Sequence, residues 1–223
     1  MATRAELRVL ASGLLDDVDN GYFTTSQVNT WLNNAQKEVQ KIINQAFEGH
    51  SIKKVLTTLV VGQREYALPS DFKRLHRLEL LISGTLPSNE QVQRISKITR
   101  NQQDLVYNGQ GSPLSYYFRG NYIVLVPAPD TALTLRMEYE YLVADMTSDS
   151  DSPDIPAQYH EMVALYAARK GFLKDGRDAS LIALEIKDFE TGLKRDAEDR
   201  NADEPRTVVT TGDDDSGYYG EFY

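Results

Sequence analysis

The spacing of apolar residues changes its period twice along this chain of 223 residues. Up to about residue 50, and again from about residue 155, apolar residues recur with the 3.6-residue period of amphipathic helices. Between residues 51 and about 145 they recur with the two-residue period of strands that bury one face. The chain must therefore place strands between two helical segments, which predicts an α+β fold.

Two helices are predicted on each side of the strands. The first two begin at capping boxes, Thr3–Glu6 and Thr24–Gln27, and Asp178 is placed to cap the last one. The second helix has the longest apolar stripe, formed by Val28, Trp31, Leu32, Ala35, Val39, Ile42, Ile43 and Ala46. Asn33 and Asn34 beside it are expected to face solvent or to cap a neighbouring helix. Because consecutive helices with a short linker usually pack as antiparallel neighbours, we predict a four-helix bundle with the β unit inserted between helices 2 and 3.

The β unit is predicted to be a compact antiparallel meander. Strands are predicted at residues 54–61, 64–68, 75–82, 114–118, 122–126 and 133–141, and residues 92–98 are compatible with a strand or a short helix. The segment Leu68-Pro69-Ser70-Asp71-Phe72 interrupts the second strand, since proline cannot donate to a ladder. We predict a discontinuous helical domain (1–50 and 152–200), an inserted β domain (51–151) and an extended arm (201–223).

Charge is concentrated at the C-terminal end. Residues 196–223 contain nine acidic residues and two arginines, which gives −7 of the net charge of −9 and leaves −2 for the remaining 195 residues. A nearly neutral body does not favour a protein that grips nucleic-acid phosphates. The chain also has no cysteine and no apolar run near the roughly 20 residues that a membrane span needs.

The sequence offers little that predicts catalysis, a cofactor or a metal site. His160-Glu161 lacks the second histidine of an H-E-x-x-H motif, because Ala164 stands there, so a solvated helix face is the preferred interpretation. The carboxylate pairs Asp16/Asp17 and Asp149/Asp151 lack the apolar setting that would raise the pKa of one member for general acid catalysis. We therefore predict that the protein is not an enzyme.

The acidic arm ends in four aromatic residues within six positions. Tyrosine and phenylalanine are preferred anchors at interfaces, and residues 207–211 could add a strand to the sheet of a partner. A plain disordered acidic end is the alternative. Docking onto a partner is predicted to use Val208, Val209, Tyr218, Tyr219, Phe222 and Tyr223.

Four segments, taken in their order and spacing, resemble the head-to-tail adaptor (connector) proteins of tailed bacteriophages, especially the short-tailed kind. They are VNTWLNNAQKEV, GQREYALPSDFKRLHRL, GSPLSYYFRGNYIVLVPAPDTALTLRMEYEY and DIPAQYHEMVALYAARK. In that family the Leu-Pro-x-Asp-Phe segment closes one strand and starts the next. The resemblance covers residues 1 to about 195.

The resemblance implies a structural virion protein at the head–tail junction, made in the host cytoplasm. It implies a ring, of about twelve copies, that binds the portal protein, extends the channel through which double-stranded DNA passes without specific binding, and carries the tail nozzle or fibres. The aromatic arm would reach the portal, and the exposed faces of helices 24–48 and 178–199 would join subunits. A tail-associated cell-wall hydrolase and a cellular scaffold protein remain the alternatives.

Overall fold

The computed structural model describes residues 1–17, 21–47, 49–83, 91–99, 101–102 and 109–202. These residues form four α-helices, eight strands and a 3₁₀ turn. The helices are α1 (Arg4–Leu14), α2 (Thr25–Ala46), α3 (His160–Asp175) and α4 (Ser180–Ala202), and the 3₁₀ turn is Ala157–Tyr159. The strands are β1 (Ile52–Thr58), β2 (Glu65–Ala67), β3 (Phe72–Ser83), β4 (Gln91–Arg94), β5 (Ser96–Lys97), β6 (Ser115–Arg119), β7 (Tyr122–Val126) and β8 (Thr134–Tyr141).

The helices begin where the sequence predicts. The Thr3 and Thr24 hydroxyls accept from the backbone N–H groups of Glu6 and Gln27, whose side chains accept in return, so both capping boxes are confirmed. At the start of α4, Asp178 accepts from the backbone N–H of Ser180 at 2.9 Å. These contacts satisfy amides that lack a partner inside the helix.

The helices share one apolar core in which α3 is the most buried member. It packs against α1, α2 and α4. Six of its residues are fully buried: Met162, Val163, Ala164, Leu165, Ala167 and Ala168. Gly171 lies so close to α1 that a Cβ atom there would stand 2.5 Å from Cδ2 of the buried Leu15. The predicted apolar stripe of α2 contributes Val28, Leu32, Ala35, Val39 and Ile43 to this core.

The strands form two four-stranded sheets, with the orders β1-β8-β3-β4 and β2-β7-β6-β5. The prediction of one antiparallel meander is therefore wrong. Strand β8 returns to lie between β1 and β3, and β7 lies between β2 and β6, so three of the six strand pairs join strands that are not consecutive in the chain. The named strand pairs are antiparallel except β5–β6, which is parallel. Sequence periodicity identifies strands but not their partners, which explains the error.

The Leu-Pro-Ser-Asp-Phe segment carries the chain from one sheet to the other. The backbone N–H of Leu68 donates to the carbonyl oxygen of Asn121 beside β7, and four residues later Phe72 opens β3 in the other sheet. Asp71 fixes the crossing, because it accepts from Lys53 Nζ at 2.6 Å and from the Tyr139 hydroxyl at 2.8 Å. The structure therefore confirms the expected role of this segment, which closes one strand and starts the next.

Both sheets contribute to a second apolar core. Its buried residues are Leu59, Tyr66, Leu68, Leu78, Leu80, Ile95, Tyr116, Ile123, Leu125, Leu135, Met137 and Tyr139. The helices have their own cluster, so the chain has separate helical and β cores. Among the described residues the order is two helices, eight strands and two helices, and the helical core joins the two ends of that order.

Candidate functional site

Three of the four carboxylates considered for acid–base chemistry, Asp17, Asp149 and Asp151, have structural partners. Asp149 accepts from Arg4 at 2.7 Å and from Arg8 at 2.8 Å, and these guanidinium groups hold its pKa well below the ordinary value. The pKa of Asp151 is lowered because the carboxylate accepts from the backbone N–H groups of Ser148 and Thr147. A general acid needs the opposite shift. These two residues therefore fix the linker between β8 and α3.

Asp17, from the other pair, also has a structural partner. Its carboxylate accepts from the backbone N–H of Phe23 at 2.7 Å and from that of Tyr22 at 3.1 Å, which lowers its pKa. These bonds hold the connection between α1 and α2.

His160 is buried, so the prediction that it lies on a solvated helix face is wrong. Only 3% of the residue is exposed. Its Nδ1 accepts from the backbone N–H of Ala2 at 3.1 Å, and its Nε2 donates to the carbonyl oxygen of Ile155 at 3.0 Å. The imidazole therefore joins the N-terminus to the start of α3. Over the described ranges, no three His, Asp or Glu side chains come together in a way that could hold a metal ion.

A stripe of four amide side chains on α2 holds the chain where it leaves β8. We call Asn33, Gln36, Gln40 and Asn44 the amide stripe. Gln40 donates to the carbonyl oxygen of Tyr141 at 2.8 Å and accepts from the backbone N–H of Val143 at 3.2 Å.

The other members of the amide stripe extend the same contact in both directions. Gln36 donates to Ala144, and Asn33 both donates to and accepts from the backbone of Met146. Asn44 donates to the carboxylate of Glu140 at 2.7 Å. The stripe therefore connects the helical core to the last strand of the β unit.

The amide stripe was not predicted from the sequence. Asn33 was expected to face solvent or cap a helix. Its side-chain amide instead donates to the carbonyl oxygen of Met146 and accepts from the backbone N–H of the same residue. Gln36 and Gln40 are 0% and 1% exposed. The signal was present in the spacing, because residues 33, 36, 40 and 44 lie on one face of a helix, next to the apolar stripe. Polar residues repeated at that spacing indicate a helix face that bonds to backbone.

Helix α4 exposes large apolar side chains, as α1 also does at Val9 and Leu10. Leu181 and Leu184 are 80% and 57% exposed, and Leu173 at the end of α3 is 58% exposed. Further along α4 lies a groove of about 510 Å³ with Tyr159, Phe189 and Leu193 among its lining residues. The other residues that line it are Gln158, Glu185, Asp188, Gly192 and Asp196. The Tyr159 hydroxyl is buried and has no hydrogen-bond partner among the described residues. These features are typical of a helix face that is completed by another chain.

The residues predicted to dock onto a partner, Val208, Val209, Tyr218, Tyr219, Phe222 and Tyr223, lie outside the described residues. Of the helix faces predicted to join subunits, α4 has the exposed leucines. The exposed side chains of α2 are polar, and they include Ser26, Thr30, Asn34 and Lys37. In the described part of the chain, no helix has both the length and the apolar run needed to cross a bilayer.

The model of a family described as SU10 adaptor protein matches residues 2–211, which include all four helices and both sheets. No curated protein matches the chain.

Proposed function

Because the chain belongs to the SU10 adaptor protein family, whose members are phage head-to-tail adaptors, we propose that it forms a ring between the portal and the tail of a short-tailed phage. The ring has about twelve copies, extends the DNA channel and carries the tail nozzle or fibres. The protein is made in the host cytoplasm and performs no chemistry of its own. The observation that carries the proposal is the match over residues 2–211.

The exposed face of α4 supports the proposal that copies associate side by side. Leu181 and Leu184 form the apolar part of this face, and the groove lined by Tyr159, Phe189 and Leu193 continues it. A ring needs two different surfaces that meet around a rotation axis, so each copy presents this face to a different face of its neighbour. Burying a leucine contributes about 1.5–3 kcal/mol, so two leucines and a filled groove supply a useful part of such a contact.

The segment that follows α4 is proposed to dock onto the portal through Val208, Val209, Tyr218, Tyr219, Phe222 and Tyr223. Aromatic side chains are enriched at the centres of protein interfaces, and this segment has four within six residues. The family match extends to residue 211 and therefore includes the first part of the segment.

The proposal is tested by electron microscopy of the purified protein, alone and mixed with portal particles. We expect rings that attach to one end of the portal. Deleting residues 203–223 should abolish attachment and leave ring formation intact. A control variant that replaces Asp213, Asp214 and Asp215 by Asn, and keeps the aromatic residues, should still attach. Undiminished attachment of the deletion variant would refute the docking role, and a protein that remains monomeric beside the portal would refute the ring.

A further inference from the structure

A cluster of basic side chains lies where the end of α2 meets the start of β3. We call Lys41, His50, Lys73, Arg74 and His76 the basic patch. Lys41, Lys73 and Arg74 line a depression of about 520 Å³ together with Asn44, Gln45 and Glu140. His50, His76 and Arg74 line a narrow extension of the same depression, which also shares Asn44 and Glu140.

The patch has an excess of positive charge. Glu140 accepts from Lys73 at 2.6 Å and lies 3.3 Å from Arg74. Burial alone would raise the pKa of Glu140, but the contacts with Lys73, Asn44 and Arg74 outweigh it and hold the pKa below the ordinary value. Glu140 is therefore ionised at neutral pH. It offsets only one of the three cations that line the depression, in a chain whose net charge is −9.

Helix α4 ends beside this patch. The guanidinium group of Arg200, in its last turn, stands over the ring of Phe47 at 5.7 Å from the centroid. Phe47 follows α2 directly, so it lies in sequence between Gln45 and His50, which line the two parts of the depression. The chain beyond Ala202 therefore starts next to the basic patch.

We propose that the acidic segment 203–223 docks onto the basic patch of its own chain. This segment has six acidic residues and one arginine, and three of the acidic residues, Asp213, Asp214 and Asp215, are consecutive. Eleven residues, from 203 to 213, span up to about 36 Å when extended, which is ample for a site beside the end of α4. The consequence rests on the proposed function: the docked segment holds its aromatic end on the adaptor until the portal displaces it.

The same cations could instead contact nucleic-acid phosphates, and the geometry favours the segment. A duplex is held by about 6–10 phosphate contacts, whereas this patch offers a net surplus of two charges at neutral pH. A tethered segment needs far less affinity, because its attachment gives it an effective concentration in the millimolar range. Weak charge complementarity is enough to hold the tethered segment and too little to hold a duplex.

The absence of cysteine from the natural chain allows a direct test by disulfide trapping in the full-length protein. One variant combines Gln45→Cys, at an exposed residue lining the depression, with Ser216→Cys beside the acidic run. The matched control combines Ser26→Cys, exposed at the opposite end of α2, with the same Ser216→Cys. Residues 26 and 45 are about 28 Å apart along the helix, and 14 extended residues span about 46 Å, so a freely sampling segment would reach both.

We expect the Gln45→Cys pair to form an intramolecular disulfide about tenfold faster than the control pair under mild oxidation. Near 1 M salt, where the Debye length falls to about 3 Å, this ratio should fall to the smaller preference that arises because the segment is tethered closer to residue 45 than to residue 26. The ratio should fall in the same way when Lys41→Ser and Arg74→Ser are added, both at exposed positions. The urea unfolding midpoint of that variant checks that the fold is retained.

Equal rates for the two pairs, or a preference that neither 1 M salt nor the loss of Lys41 and Arg74 reduces, would overturn the proposal. A disulfide found only between two copies on a non-reducing gel would overturn the assignment to one chain. Binding of a DNA duplex that depends on Lys41 and Arg74, while the two cysteine pairs react at the same rate, would also overturn the proposal.

Portal attachment separates this proposal from the proposed function. The variant with Lys41→Ser and Arg74→Ser should attach to portal particles at least as well as the natural chain, since its segment is already free. If deletion of residues 203–223 leaves attachment unchanged while trapping remains selective, the portal role of the segment fails and its docking on the patch stands. If trapping is unselective and the deletion abolishes attachment, the docking on the patch fails and the portal role of the segment stands.

Discussion

Helices α2 and α4 have nearly the same length, 22 and 23 residues, but they place their polar and apolar side chains in opposite ways. Helix α2 buries amide groups, with Gln36 and Gln40 at most 1% exposed. Helix α4 exposes apolar groups, with Leu181 80% exposed and Leu184 57% exposed. Each departs from the usual pattern of polar side chains outside and apolar side chains inside.

The departures have different physical costs. A buried amide is tolerated only when its hydrogen bonds are made, and Gln40 makes its bonds to the backbone of Tyr141 and Val143. An exposed leucine costs little in the free protein and gains free energy only when something covers it. Helix α2 therefore stabilises the chain internally, whereas α4 presents an apolar surface that gains free energy only when it is covered.

The largest effect is expected from Gln40→Met, which keeps the volume and removes both hydrogen-bonding groups. The carbonyl of Tyr141 and the N–H of Val143 lose their partner, and we expect a loss of roughly 2–5 kcal/mol in the free energy of unfolding. Urea unfolding measures it, with Asn34→Met, at an exposed position of the same helix, as the control. A loss below about 1 kcal/mol would mean that the amide stripe does not stabilise the junction.

Gln36→Met should lower the free energy of unfolding by less than Gln40→Met does, and this difference sharpens the same test. Gln36 donates one good bond, to Ala144 at 2.8 Å, but its Oε1 atom is buried without a partner. Substitution removes this unsatisfied atom together with the bond, so we expect a loss of about 0–1.5 kcal/mol. A larger loss at position 36 than at position 40 would contradict this account of the stripe.

Two glycines give the next test, because one faces the interior and the other faces the groove of α4. At Gly171 an added Cβ would stand 2.5 and 2.8 Å from the two Cδ atoms of Leu15, which is buried. Overpacking costs about 1–3 kcal/mol, and the better helix propensity of alanine recovers part of it, so Gly171→Ala should lose about 1–2 kcal/mol.

The matched substitution Gly192→Ala should have the opposite sign. An added Cβ meets nothing within 4 Å there, so alanine should stabilise α4 by about 0.5–1 kcal/mol. Thermal unfolding of both variants measures the difference. If Gly192→Ala destabilised the isolated chain as Gly171→Ala does, position 192 would face an interior contact and the surface role of α4 would be wrong.

The local elements of this fold could be predicted from sequence because each depends on neighbours in the chain. The capping boxes at Thr3 and Thr24 need only four residues, and the stripe of α2 needs only a period. The order of strands could not be predicted, since the position of β8 between β1 and β3 depends on residues 53 to 88 positions apart. His160 was misassigned for the same reason, because its partner Ala2 is 158 residues away.

The candidate surfaces were less predictable than the elements. The sequence placed a subunit contact on residues 178–199, and α4 does expose leucines there, but periodicity alone could not separate Leu181 and Leu184 from the buried Ile182 and Ile186. The basic patch joins residues from α2, from the turn before β1 and from β3, so no short stretch of sequence contains it. The aromatic docking residues remain a prediction from sequence.

The exposed leucines of α4 are tested by the double substitution Leu181→Lys with Leu184→Lys. Both side chains are exposed and lysine has a similar helix propensity, so the free energy of unfolding of the monomer should change by less than about 0.5 kcal/mol. Ring formation, measured by analytical ultracentrifugation, should weaken at least tenfold because buried apolar area is lost. Ala183→Lys, exposed on another side of α4, is the control and should leave rings intact. Rings that survive the double substitution would place the subunit contact elsewhere.

The smallest effect concerns the linker that the amide stripe holds, where Asp149 binds Arg4 and Arg8 at the protein surface. The folded-state pKa of Asp149 is depressed below its ordinary value of 3.8, chiefly because Arg8 and Arg4 donate to it. A depressed carboxyl pKa contributes stability above the unfolded pKa, and this contribution is lost as the pH falls towards the folded pKa. The natural chain should therefore exceed Asp149→Asn in stability at pH 6, by a margin that narrows steadily below about pH 4.

Asp130→Asn, at an exposed position without an ion pair among the described residues, should show no such narrowing. Solvent screens an exposed pair, so the margin should also shrink at high salt, whereas the loss caused by Gln40→Met should not. A margin that stayed constant from pH 6 to pH 3 would show that Asp149 acts through packing rather than through its charge.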